Sequence, residues 1–262
     1  MLLAVDIGNT NIVAAVFDDE EIVKEWRIFS DIRRTGDEYF SILRSLLKDA
    51  GILSVEISSS VLSSVVPPLI GPFISAIQQL TKKKPLLLSP AIYDKLPIKI
   101  PDTAIHSMGT DLVCNAVEAW ERFKGAAIVV DFGTALTFTT IDDKANVHGC
   151  AIAPGIGTSM RALSTNTAQL PSIPLEAPPN SLGKNTVHAM QSGIILGTLG
   201  MVEYMVNRMK KDLAQESGVE QDKIHVMATG GLNSVLRPLT DVFEVVDKYH
   251  TLKGLRRVAL YC

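Results

Sequence analysis

The sequence is poor in the features that would take it out of an ordinary reducing compartment. Its three cysteines, Cys114, Cys150 and Cys262, show no paired spacing, so free thiols in a reducing cytosol are expected. Met1 opens directly onto an apolar strand pattern, without the basic, apolar and small-residue succession of a secretory signal. The most apolar later stretch, Gly193–Val202, carries three glycines and stops at Glu203, too short to span a bilayer. A cytoplasmic location is expected. Neither sign of charge dominates: the net charge of −3 gives no electrostatic case for nucleic acid or an anionic membrane as partner. The short basic clusters (Lys82–Lys84, Arg33-Arg34, Arg256-Arg257) read as solvated ends of elements, and low-complexity tracts are absent.

Several site motifs are missing too. No Gly-x-x-x-x-Gly-Lys-Ser/Thr loop exists, so any nucleotide is held in another way. Gly-x-Ser-x-Gly, His-Glu-x-x-His and Cys-x-x-Cys units are also absent. The five histidines (His106, His148, His188, His225, His250) are scattered, and structural or surface roles are expected for them.

What is present is a pattern written twice. The apolar run Met1–Val5 ends on Asp6-Ile7-Gly8-Asn9-Thr10-Asn11, and the apolar run Ala126–Val130 ends on Asp131-Phe132-Gly133-Thr134-Ala135. In each, an aspartate closes a strand, a glycine follows two residues later, and a β-branched second strand begins at once (Ile12–Phe17, Leu136–Ile141). Glycine lets the backbone approach a ligand closely, and turn amides can point at an anion. Paired acidic, glycine-containing hairpins of this kind suit a phosphate tail with its magnesium. The reading is an ATP-using phosphotransferase.

The repeat divides 262 residues into lobes over 1–124 and 125–262, with Gly125 at the seam. The first lobe predicts strands at Leu2–Asp6, Ile12–Phe17 and Glu21–Phe29. Thr35 with Glu38 resembles a capping box opening a helix that stops near Gly51. A β-prone stretch over Val55–Val66, a helix over Phe73–Leu80, a strand over Pro85–Leu88 and a helix over Thr110–Phe123 follow. The second lobe predicts a third strand near Val147–Ala153, a helix over Thr158–Gln169, a proline-rich loop over Pro171–Pro179 and a strand over Ile224–Ala228. Thr186–Glu216 reads as one long helix with Gly193, Gly197 and Gly200. Such glycines cost about 1 kcal/mol each relative to alanine, so close helix packing, within the domain or at a dimer interface, is expected to offset them. The whole is an α/β protein of two similar lobes with a cleft between them.

These segments resemble the two phosphate motifs and, at Thr229-Gly230-Gly231, the adenosine motif of the actin and hexokinase type of ATPase, whose lobes are duplicated ribonuclease H-like units. Within that superfamily the chain resembles the type III pantothenate kinases. The matching segments are Asp6–Asn11, Gly109-Thr110-Asp111, Asn115-Ala116-Val117, Val130–Thr134, Ala151–Ile156, Gly183-Lys184-Asn185-Thr186, Gln191-Ser192-Gly193 and Ala228–Leu232, in order along nearly the whole chain. The resemblance implies transfer of the ATP γ-phosphate to pantothenate, giving 4′-phosphopantothenate in coenzyme A synthesis. It also implies a homodimer, a divalent metal such as Mg²⁺, and stimulation by K⁺ or NH4⁺.

Asp6 is the candidate ligand for hydrated Mg²⁺, against the alternative of an aspartate fixing its own turn. By resemblance Asp6, Ile7, Gly8, Asn9, Thr10, Asn11, Ile12 and Val13 form the ATP loop. Asp131 matches the monovalent-cation position and Thr134 an ATP contact; orienting a metal-bound water remains open for Asp131. Gly230 and Gly231 would let adenine lie on the turn. Asp111 is the candidate general base, although an acidic residue in a first helical turn also suits the helix dipole. Gly109, Thr110, Asp111, Leu112 and Thr186 match substrate contacts, and Thr186 also reads as a helix N-cap.

One departure stands out. The family has arginine after the aspartate of Gly-x-Asp, where this chain has Leu112, and an enclosing tyrosine where Asp102 falls. Losing a charge-assisted partner for the substrate carboxylate costs on the order of 1.5–3 kcal/mol. Arg161 or Lys184 could supply a cation instead. The alternatives are a kinase of the same fold with another small hydroxyl acceptor, or a catalytically silent nucleotide-binding relative.

Overall fold

The computed structural model describes residues 1–231 and 233–262. One five-stranded sheet contains β1 (Leu2–Ile7), β2 (Asn11–Asp18), β3 (Glu21–Phe29), β4 (Ser59–Ser64) and β5 (Leu86–Leu87), in the order β3-β2-β1-β4-β5. The other contains β6 (Ala127–Phe132), β7 (Ala135–Ile141), β8 (Val147–Pro154), β9 (His225–Gly230) and β10 (Val245–Val246), in the order β10-β9-β6-β7-β8. From the hairpin edge inward the two orders are identical. The central strand runs antiparallel to its hairpin partner and parallel to the strand on its other side. Asp6 stands opposite Val13 and Ser63, and Asp131 stands opposite Thr137 and Thr229. Each aspartate is thus the penultimate residue of its sheet's central strand. The α/β class with two similar lobes is what the repeated hairpins predict, and the duplicated ribonuclease H-like sheets are what the superfamily resemblance implies.

The helices are α1 (Gly36–Asp49), α2 (Pro67–Thr81), α3 (Thr110–Phe123), α4 (Ile156–Asn166), α5 (Thr186–Gln191), α6 (Gly197–Ser217), α7 (Asn233–Leu236) and α8 (His250–Tyr261). The predicted capping box holds. Thr35 Oγ1 accepts the Glu38 amide at 3.4 Å, and Glu38 Oε2 accepts the Thr35 amide at 2.7 Å. Beneath α1 and α2, Leu43, Phe73 and Ile77 pack on the β1–β4 face, and the Tyr39 ring lies 4.4 Å from that of Phe73. In the second sheet, Ile128, Val130 and Phe138 pack with Ile195, Val202 and Val206.

Several boundaries differ from expectation. α2 begins at Pro67, not Phe73, because the first-turn amides of a helix have no intrahelical acceptor and proline forfeits nothing there. The stretch Val55–Val66 yields only Ser59–Ser64 as strand, and residues 54–56 form a 3-10 turn. The long helix expected over Thr186–Glu216 is broken into α5, a π-helical turn over Ser192–Leu196, and α6. A β-carbon on Gly193, Gly197 or Gly200 would meet nothing within 4 Å. Close packing within this unit therefore does not explain these glycines.

The chain forms two compact units, Met1–Glu118 with Thr251–Cys262, and Ala119–His250. The last helix therefore belongs with the first unit, whereas the sequence seam at Gly125 left it with the second. The sequence carried a signal for α8 in Leu252, Leu255 and Val258, all buried. α8 packs closely on α3: a β-carbon on Gly254 would strike the Cys114 carbonyl, and Thr251 Oγ1 donates to Asn115 Oδ1 at 2.8 Å. Arg256 donates to the Asp19 carbonyl at 2.5 Å, holding the β2–β3 turn, where Asp19 has a φ of 48°.

Candidate active site

In the first unit the site is built on the end of β1. Gly8 donates to the Asn11 carbonyl at 3.0 Å and so closes the hairpin. Ser30 secures the turn from outside, its Oγ donating to the Gly8 carbonyl at 2.6 Å and its amide to the Thr10 carbonyl at 3.0 Å. A β-carbon on Gly8 would crowd the Asn11 carbonyl at 3.0 Å. Ile7 and Ile12 are fully buried in the core, so only their backbone is left to meet a ligand. Asp6 is half-buried and Asn9 exposed at the tip.

The first turn of α3 supplies the next group. Asp111 is partly buried, and its Oδ1 accepts the Leu112 amide at 2.9 Å. Desolvation raises its pKa above the usual aspartate range, against the lowering effect of backbone amides. A β-carbon on Gly109 would strike that carboxylate, so any other residue there would displace it. Thr110 Oγ1 accepts the Ser64 amide at 3.1 Å and shares a 2.9 Å hydrogen bond with Ser63 Oγ. Leu112 is 3% exposed, a core residue whose side chain is turned away from solvent. Asp102 and His106 are exposed. Burial pushes the Tyr93 hydroxyl up to about 12, with nearby Cys114 and Asp111 adding to the effect.

In the second unit the equivalent strand end carries Asp131. The turn is tighter here, Gly133 donating to the Ala135 carbonyl at 3.1 Å. The Thr134 carbonyl accepts both the Gly155 amide at 3.1 Å and Thr158 Oγ1 at 2.7 Å, which ties the start of α4 to the turn. Gly155 fits only without a side chain, since its β-carbon would collide with the Gly133 and Thr134 carbonyls. Gly230 has a φ of +88°, and its β-carbon would stand 2.7 Å from Asp131 Oδ1 and 2.6 Å from the Phe132 carbonyl. Gly231 follows, exposed. Leu232, the last residue of that sequence motif, lies outside the described residues.

Thr229 was expected only as part of the adenosine turn, not as a neighbour of Asp131. It lies in register beside Asp131, is 1% exposed, and its hydroxyl finds no hydrogen-bond partner among the described residues. Asp131, the Thr229 hydroxyl and neighbouring carbonyls are all oxygen donors, a set suited to a hard cation. No group of three or more His, Cys, Asp or Glu side chains converges among the described residues.

The Thr186 segment borders a cavity of about 1000 Å³ within the second unit. Its walls include Leu163, Met190, Ile194 and Met201, with Lys184 and Thr186 at the polar side. Asn185, not Thr186, is the N-cap of α5, its Oδ1 accepting the His188 amide at 2.8 Å. Thr186 is the first helical residue, and its hydroxyl is not used in capping. Arg161 lies outside that lining and reaches Thr158 Oγ1 at 3.4 Å.

The fold is shared with solved structures of low identity. A Baf family protein from Campylobacter jejuni superposes with a TM-score of 0.58 at 16% identity, covering 98% of this chain and 97% of that one. A ROK family glucokinase from Streptomyces griseus, in complex with glucose and AMPPNP, gives 0.51 at 13% identity over 98% of each chain. Curated relatives are much nearer in sequence. The type III pantothenate kinase of Moorella thermoacetica is 42% identical over 258 residues, 98% of both chains. That of Citrifermentans bemidjiense is 39% identical over 256 residues, 98% of this chain and 97% of its own. The family model for type III pantothenate kinase matches residues 2–208. With its two strand-end aspartates, its Gly109-x-Asp111 turn and these full-length similarities, the chain belongs to the type III pantothenate kinase family.

Proposed function

We propose that this protein transfers the γ-phosphoryl group of ATP to pantothenate, giving 4′-phosphopantothenate on the route to coenzyme A. The observation that carries this, beside family membership, is the equivalence of Asp6 and Asp131 at penultimate positions of matching strands. Asp6 and the amides of Gly8–Asn11 are assigned to the phosphates and their Mg²⁺, and Thr134, Gly230 and Gly231 to the nucleotide. Asp131, with Thr229, is assigned to a monovalent cation, K⁺ or NH4⁺. The metal ions, when bound, neutralise charge developing on the phosphate oxygens.

Asp111 is assigned to the acceptor hydroxyl. Phosphoryl transfer passes through a loose transition state, so the carboxylate's first task is to align the attacking oxygen. It then takes the proton as the new P–O bond forms and the bond to ADP breaks. Its desolvated setting favours proton uptake. Gly109, Thr110 and Thr186 are assigned to pantothenate. The Leu112 side chain, being core, meets no anion, and Lys184 on the cavity wall is assigned to the pantothenate carboxylate.

A homodimer is what the family resemblance implies; Gly193 and Gly197 border the cavity, and only Gly200 of the three faces open space outside it. Cys114, Cys150 and Cys262 stand in no disulfide among the described residues, which supports a cytoplasmic location. Among the described residues no helix is long and apolar enough to cross a membrane.

The test is mass spectrometry of pantothenate incubated with protein, ATP, Mg²⁺ and K⁺, beside an Asp111→Asn control. A phosphopantothenate product lost in the control is the expected result. ATP consumption with a different hydroxyl acceptor, and none with pantothenate, would redirect the assignment to that acceptor.

A further inference from the structure

Ser63 is the penultimate residue of β4 and fully buried. It neighbours Asp6 in the parallel register of β1 and β4. Its hydroxyl lies 2.9 Å from that of Thr110, the first residue of α3. Thr110 also accepts the Ser64 amide at 3.1 Å, and either hydroxyl can be the donor in the Ser63–Thr110 pair. Strand end and helix are therefore tied at the first residue of α3 by two hydrogen bonds, from the Ser63 hydroxyl and the Ser64 amide. Asp111 follows that tie directly, and the Cys114 side chain one turn further along α3 is fully buried.

We propose that Ser63 is a positioning residue for phosphoryl transfer: through Thr110 it fixes the first turn of α3, and with it Asp111, relative to the strand end that carries Asp6. The inference rests on the reading of Asp111 as the base. Two aspartates on different elements hold a working distance only if those elements cannot slide. Packing alone permits small rotations of a helix about its axis. A buried hydroxyl chain resists them, because any displacement leaves polar groups unsatisfied away from water. Alignment of the attacking oxygen is the chief demand of a loose transition state, and displacements near 1 Å cost about 100-fold in rate. A hydroxyl serving stability only would lower the melting temperature and leave turnover per folded molecule unchanged.

The experiment compares full-length Ser63→Ala, Thr110→Val, the double variant and Asp111→Asn, measuring kcat, both KM values and thermal unfolding. Thr110→Val is nearly isosteric and keeps the chain-breaking measurement available if Ser63→Ala folds poorly. Ser63→Ala is expected to lower kcat roughly 10- to 100-fold with the ATP KM within about twofold. The double variant should be no slower than the slower single, because both changes cut one chain. Amide exchange across residues 110–114, measured without substrates, should quicken in Ser63→Ala. Unchanged kcat in Ser63→Ala beside an inactive Asp111→Asn would overturn the positioning role, as would multiplicative losses in the double variant. Wild-type kcat in Asp111→Asn would overturn the base assignment itself, and the role of Ser63 with it.

Discussion

Gly230 and Asp131 interlock: the glycine's φ of +88° brings its backbone so close to the carboxylate that a β-carbon would stand 2.7 Å from Oδ1. The turn assigned to adenine and the aspartate assigned to a cation are therefore one piece of geometry. Space reserved beside a carboxylate is maintained by the residue that has no side chain to fill it.

Gly230→Ala is accordingly expected to weaken nucleotide binding at least tenfold, since left-handed strain alone costs on the order of 1–3 kcal/mol. Calorimetric titration with a non-hydrolysable ATP analogue measures it. An unaltered affinity in a folded variant would separate this turn from the nucleotide.

Asp111 carries a cost in the free protein. Its pKa is raised by burial, so the stability linked to it is greatest below the unfolded aspartate value and declines as pH rises through the folded value. At neutral pH the protein holds a desolvated carboxylate. Asp111→Asn should therefore abolish turnover while raising the melting temperature of the ligand-free protein above pH 6. The acid limb of kcat in the wild type should fall at a higher pH than for an exposed aspartate. Equal melting temperatures at neutral pH would argue that the carboxylate is not strained by its site.

Lys184→Ala should raise the pantothenate KM about 10- to 100-fold, the equivalent of a lost charge-assisted hydrogen bond, and leave the ATP KM nearly constant. Arg161→Ala should do neither. If the two variants exchange these behaviours, the anion partner is Arg161.

A second pH dependence lies away from the site. His148 bridges two carboxylates, its Nε2 2.9 Å from Asp142 Oδ2 and its Nδ1 2.9 Å from Glu216 Oε2. Burial lowers the His148 pKa, but hydrogen bonds to Asp142 and Glu216 outweigh it, and the net shift is upward. Burial likewise raises Asp142, but Asn146 and His148 with backbone amides hold it at about 2. The histidine contribution is full below its unfolded pKa, near 6.5, and is lost as pH rises through the folded value. The aspartate contribution is present above roughly pH 4 and is lost as pH falls towards 2. Melting temperature should therefore decline above pH 6.5 in the wild type, and His148→Gln should flatten that decline. An unchanged slope would show that the bridge does not set it.

The parts legible in sequence were those whose cause is local. The hairpins after Asp6 and Asp131, the Thr35–Glu38 box and the limits of α3 each depend on residues a few positions apart. The start of α2 was missed because Pro67 and Pro68 mark a helix start as readily as a strand end. The π turn at Ser192–Leu196 was missed because its apolar periodicity is nearly that of an α-helix. Ser63 carried no signal, and Thr229 was legible only as part of the Thr229-Gly230-Gly231 turn and not as Asp131's neighbour, since a buried hydroxyl gains meaning only from a strand or helix distant in sequence. Leu112 was legible as a departure from the family, yet only its burial shows that the substitution joined the core.

The closure of α8 onto α3 also sets an order of assembly. The segment that backs Cys114 and Asn115 is synthesised after every residue of the second unit. During synthesis the helix bearing Asp111 emerges early and waits, its rear surface uncovered, until Gly254 arrives to seal it. The first unit is thus begun before the second unit and closed only after it.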